Sequence, residues 1–112
     1  MKHVTYAEKS LLVGTDAADL LLEYAAALGS AGRADNVEIR AIGVDGEEVV
    51  ATFLLDPGSS LMAESSRSVL PEPDNDAISL YMRDAIRGLR GNPSESPANR
   101  RNDFPFDPDL DV

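Results

Sequence analysis

The sequence predicts an α+β domain: a two-layer sandwich in which a mainly antiparallel sheet of about four strands carries two helices on one face. Three observations lead there. The run "NVEIRAIGVDGEEVVATFLL" sets Asp-Gly between two alternating, β-rich segments, the strongest short-range hairpin signal. Two other stretches, "TDAADLLLEYAAALGSAG" and "PEPDNDAISLYMRDAIRGLRG", place apolar residues at helical spacing. Near Gly91 the composition changes, which divides the chain into a folded part, residues 1–91, and an acidic tail, residues 92–112.

In chain order, "SLLVG" reads as a short strand stopping at Gly14, and the first helix follows. Thr15 or Asp16 is positioned to cap its free amides, Asp16 and Asp19 suit the positive end of its dipole, and Gly29 or Gly32 supplies a left-handed exit. Leu21, Tyr24, Ala25 and Leu28, extended by Ala17 and Ala18, form its buried face. The hairpin comes next, and "SLMAES" after the Pro57-Gly58 turn is expected to be a further antiparallel strand. The second helix is capped by Asp74 or Asn75 and buries Ile78, Tyr81 or Met82, Ala85 and Leu89. The resulting chain order is β-α-β-β-β-α.

A two-residue loop at Asp45-Gly46 sets Val44 opposite Glu47 and, counting back, Ile42 opposite Val49 and Glu38 opposite Phe53. One face then holds Val37, Ile39, Ala41, Val50, Thr52 and Leu54 and lies under the helices. The other holds Glu38, Arg40, Ile42, Val49, Ala51 and Phe53, so Ile42, Val49 and Phe53 would form an uncovered apolar patch of a size that suggests an interaction site. The competing expectation is a bulge or a three-residue loop, which inverts the strand and buries Phe53.

The tail "NPSESPANRRNDFPFDPDLDV" contains four of the seven prolines and no apolar periodicity, so burial cannot offset the entropy of ordering it, and disorder is expected. It nevertheless holds two of the three phenylalanines, Phe104 and Phe106, spaced by Pro and Asp. Apolar anchors on a stiff acidic peptide suit docking into a groove lined by Arg or Lys. Arg83, Arg87 and Arg90, at spacings of four and three on the second helix, make a basic stripe expected on the face away from the core. Cations near a helix C-terminus also complement its dipole, which is explanation enough for such a stripe in many proteins.

The totals exclude more than they assign. A net charge of -10 argues against phosphate backbones and anionic lipid, since both require clustered Lys and Arg. Without cysteine there is no disulfide and no thiolate metal site, and "MKHVTYAEKS" lacks the apolar run of a signal peptide, so a cytoplasmic location is expected. "ADLLLEYAAAL" is interrupted by Glu23 and far shorter than the roughly 20 residues that span a bilayer. No catalytic constellation emerges. His3 stands alone near the terminus, the serines of "GSS" and "ESSRS" lack a nucleophile context, and Glu47 and Glu48 point to opposite sides of a strand. "LLVGTDAADLL" resembles an anion-binding strand-to-helix turn only loosely, with one glycine and with Asp16 and Asp19 repelling phosphate. No catalytic, cofactor-binding or metal residues are expected. The leading expectation is a non-catalytic interaction module that binds a protein partner or itself, forming a homo-oligomer, through Ile42, Val49 and Phe53, an exposed edge, or the tail. Alternatives are an acidic nucleic-acid mimic that blocks a basic partner, and a small-ligand binder with Tyr6, Lys9, Tyr24 and Tyr81 as polar tips.

Overall fold

A computed structural model describes residues 1–91. The elements are β1 (Lys2–Tyr6), β2 (Lys9–Val13), α1 (Thr15–Ala31), β3 (Asp35–Ile42), β4 (Glu48–Leu55), β5 (Leu61–Ser65) and α2 (Asp76–Arg90). Every strand pair is antiparallel, in the order β4-β3-β2-β1-β5. The α+β class is as the sequence predicts, with one strand more. The additional strand is β1, whose Val4 is fully buried. Its hairpin with β2 turns at Ala7 and Glu8 between the Tyr6–Lys9 pair, with Ala7 in the left-handed region at φ 56°. That region is normally filled by Gly, Asn or Asp, so the turn carries no sequence signal.

The central hairpin corrects the expected register. The Gly46 amide donates to the Gly43 carbonyl (3.0 Å), the Gly43 amide donates to the Glu47 carbonyl (2.9 Å), and Gly46 is left-handed at φ 83°. This is a three-residue loop, Val44-Asp45-Gly46, in which a turn is followed by a glycine that adds one residue to the return strand. The Asp45 carboxylate braces it by accepting the Glu47 amide at 3.1 Å. Ile42 therefore faces Glu48, Arg40 faces Val50 and Val37 faces Phe53. A shift of one residue turns every β4 side chain to the other face. Phe53 accordingly lies in the core at 5% exposure, while Val50 and Leu54, expected under the helices, are 58% and 49% exposed. The patch of Ile42, Val49 and Phe53 is not one surface: Val49 and Phe53 share the core-side face of β4, and Ile42 is buried on the opposite side of β3.

The core joins Val4, Leu11 and Val13 from the first hairpin to Val37, Ile39, Phe53 and Leu55 from the second, sealed by Leu21, Tyr24 and Leu28 of α1 and Met82 and Ile86 of α2. The many alanines of α1 let it bury a broad face that reaches both the sheet and α2. It ends at Gly32 (φ 65°), where the Arg33 amide donates to the Leu28 carbonyl at 3.0 Å, the left-handed exit expected from the sequence. On α2 the fully buried residues are Ser79, Met82 and Ile86, with Ile78, Ala85 and Leu89 partly covered; Tyr81 is half exposed.

The sheet curls. Its two outer strands, β4 and β5, are consecutive in the chain and separated only by residues 56–60. The curl brings the Tyr6 hydroxyl to the Leu54 carbonyl (2.6 Å) and the Tyr6 ring edge-on to Phe53, with centroids 5.7 Å apart. The β2–β3 seam is correspondingly short, with one pair, Leu12 and Ile42. Beyond it β3 continues without β2. There the Asn75 side chain takes over: its Oδ1 accepts the Arg40 amide (2.8 Å) and its Nδ2 donates to the Arg40 carbonyl (2.9 Å). Asn75 precedes α2 but gives the helix no side-chain cap, because its amide is engaged on β3.

Candidate functional site

Arg40 fixes the direction of every free hydrogen-bonding group on β4. In an antiparallel ladder, facing residues either exchange both backbone bonds or neither. Since the amide and carbonyl of Arg40 point to Asn75, Arg40 and Val50 exchange none, and the amide and carbonyl of Val50 point away from β3. The same alternation directs Glu48, Thr52 and Leu54 outward. The Leu54 carbonyl is occupied by the hydroxyls of Tyr6 (2.6 Å) and Ser59 (3.0 Å). At Glu48, Val50 and Thr52 no partner is present among the described residues, and β4 pairs with β3 alone. The result is an open strand edge about five residues long, bearing Val50 at 58% and Val49 at 37% exposure. Sequence reasoning allowed for an exposed edge but placed Val50 inward; the signal that would have found it is Gly46 at the third position of a three-residue loop.

The arginines expected as an outward stripe are engaged. Arg83 pairs with Asp16 (3.3 Å) and Arg90 with Glu23 (2.9 Å), both across the seam to α1, while Arg87 pairs with Asp84 on its own helix (2.7 Å). All three remain about half exposed, so these are solvated pairs. Phe104 and Phe106 lie outside the described residues.

Two of the tyrosines expected as polar tips, Tyr24 and Tyr81, converge on one carboxylate. Tyr24 of α1 donates to Asp35 Oδ2 at 2.5 Å and Tyr81 of α2 donates to the same oxygen. Their rings meet edge to face, with centroids 6.2 Å apart. Burial, followed by the bond to Asp35, pushes the Tyr24 hydroxyl far above its ordinary value; the bond to Asp35 is the main cause of the rise at Tyr81. Burial alone would raise the Asp35 carboxyl, but the two hydroxyls and the Asn36 amide outweigh it and hold the group below the usual carboxylate range. Both hydroxyl protons are committed to the carboxylate, so the cluster ties α1, α2 and the start of β3 together.

At the Gly14–Thr15 helix start, the strand-to-helix turn that loosely resembles an anion site, the chain supplies its own carboxylate. Glu72 Oε2 lies 3.4 Å from the Thr15 amide and 3.5 Å from its hydroxyl, and a Cβ on Gly14 would come within 2.9 Å of the other carboxylate oxygen. Among the described residues no group of three His, Cys, Asp or Glu side chains is placed to hold a metal ion, and no helix is long and apolar enough to cross a membrane. Among the described residues two outer strand edges, those of β4 and β5, have unfilled bonding capacity, and β4 is the longer, eight residues against five. No family model, curated protein or solved structure matches this chain.

Proposed function

We propose that this chain is a non-catalytic, cytoplasmic protein–protein interaction module that self-associates, with the outer edge of β4 as its contact surface. One observation carries the reading: backbone donors and acceptors at Glu48, Val50 and Thr52 that have no partner among the described residues run beside exposed Val49 and Val50. Such an edge is a template for another strand, and proteins that avoid association blunt it with Lys, Pro or a covering segment. From Glu48 to Leu55 the sequence "EVVATFLL" contains no Lys or Pro. The acidic tail with Phe104 and Phe106 belongs to the same reading as a second docking element. The net charge of -10 fits protein partners better than nucleic acid or anionic membrane.

The test is sedimentation of the full chain beside a Val50→Lys variant. Lysine at this exposed position leaves the β3 ladder intact and puts a charge where a second strand would lie. The parent is expected to associate as its concentration rises and the variant to remain monomeric with an unchanged far-ultraviolet circular dichroism spectrum. Identical sedimentation of the two would remove the edge as the contact surface.

A further inference from the structure

We infer that the β4 edge pairs with the β4 edge of a second copy, antiparallel, about a two-fold axis at Val50. This deepens the reading above and rests on it. A two-fold interface requires a self-complementary surface, and an antiparallel strand edge is one. Bonding residues must also face bonding residues, which leaves only registers that pair Glu48, Val50 and Thr52 among themselves or with their next outward neighbours.

Three such registers matter. With the axis at Val50, Val50 faces Val50 of the second copy and Glu48 faces Thr52, so every free amide and carbonyl at these positions finds a partner. Moving the axis toward Leu55 sets Glu48 against Leu54, whose carbonyl is already occupied by the Tyr6 and Ser59 hydroxyls. Moving it toward the turn sets Thr52 against Gly46, whose amide is bound to Gly43 inside the loop. The occupied groups at the two ends thus frame one register. Electrostatics agree with it, because Glu48 meets a threonine rather than a second glutamate, and like charges directly opposite are destabilising. The side chains agree as well: Val50 packs on Val50 on one face, and Val49 covers Ala51 of the second copy on the other.

The edge of β3 cannot compete for this pairing, since Asn75 holds the amide and carbonyl of Arg40. Pairing in this register uses up the β4 edge of both copies. Two five-stranded sheets join into one continuous sheet that ends on β5 at each side.

Disulfide trapping in the full chain tests the register, because the sequence has no cysteine and any bridge joins introduced thiols. Facing residues that exchange backbone bonds have Cα atoms about 5.5 Å apart, within the roughly 4.4–6.8 Å that a disulfide spans. Val50→Cys alone should give a covalent dimer under mild oxidation. Thr52→Cys alone should not, since its two copies would stand about four residues, or ~14 Å, apart along the strands. A mixture of Glu48→Cys and Thr52→Cys chains should give a dimer containing one of each. If the parent sediments as a dimer but Thr52→Cys bridges to itself, or Val50→Cys fails to bridge, the register is overturned while the edge reading stands. A parent that stays monomeric at its highest soluble concentration overturns self-pairing and the self-associating module together.

Discussion

The β3–β4 hairpin has two outer edges, and the chain treats them differently. On the β3 side, where β2 stops after the Leu12–Ile42 pair, the freed backbone of Arg40 receives both a donor and an acceptor from the Asn75 side chain. Tyr81 of the following helix fastens Asp35 at the start of the same strand. On the β4 side the equivalent groups at Glu48, Val50 and Thr52 receive nothing among the described residues. A primary amide presents the same donor and acceptor pair as a peptide unit, so one asparagine substitutes locally for a strand. Among the described residues, the hairpin thus closes one of its two edges and leaves the other open. An edge left open beside exposed valines is a liability unless it is used.

The largest effect should come from breaking the register that distinguishes the two faces of β4. Phe53→Ala removes a buried ring that packs edge-on against Tyr6 and should cost about 3–5 kcal/mol, as large-to-small core substitutions of Phe do. Val50→Ala, three positions away on the exposed face, should change stability by less than about 1 kcal/mol. Urea denaturation at a dilution that keeps both proteins monomeric reads the difference. Similar midpoints for the two would mean that β4 is paired as the two-residue loop dictates, and the edge would then present other residues.

That register is also where the sequence was least legible. Asp45-Gly46 announces a hairpin, but the same dipeptide serves as a two-residue loop or as the end of a three-residue loop, and the choice moves Phe53 from surface to core. The helices were readable because their periodicity spans several turns, and Gly32 ends α1 as its conformational freedom suggests. β1 was not, since Ala7 occupies a left-handed turn position without a glycine to mark it. Of the interaction residues expected, Phe53 proved to be core and the arginines proved to be paired, because neither cross-strand register nor the partner of a long side chain is a local property. The bond between Asn75 and Arg40 crosses 35 positions and leaves no pattern in the chain.

Asn75→Ala opens the closed edge and makes the two sides alike. Two hydrogen bonds are lost, each contributing ~0.5–1.5 kcal/mol net, and because water can reach the exposed Arg40 backbone the expected loss is about 1–2 kcal/mol. A local readout is more telling. Amide exchange at Arg40 should accelerate toward the rate at Val50, whose outward amide is free in the monomer. Unchanged protection of Arg40 would mean that something other than Asn75 closes that edge.

The smallest effect concerns the second fastening of α2 to β3, through Asp35. Tyr81→Phe removes one of the two hydroxyl donors while keeping the ring against Tyr24. A hydrogen bond to a charged group contributes ~1.5–3 kcal/mol when sheltered, but Tyr81 is half exposed and solvent replaces part of it, so about 1 kcal/mol is expected near neutral pH. The pH dependence identifies the source. A carboxyl held below its ordinary value of 3.8 contributes stability that is complete above that value and is lost as pH falls through the lowered one. The gap between parent and variant should therefore close on the acid side of 3.8. On the alkaline side the raised tyrosine hydroxyls contribute stability that is complete below their ordinary 10.0 and is lost as pH rises toward their elevated values. Parent and Tyr81→Phe should accordingly differ most on the plateau between these limits. If the gap instead persists undiminished into acid, the hydroxyl is not acting through Asp35.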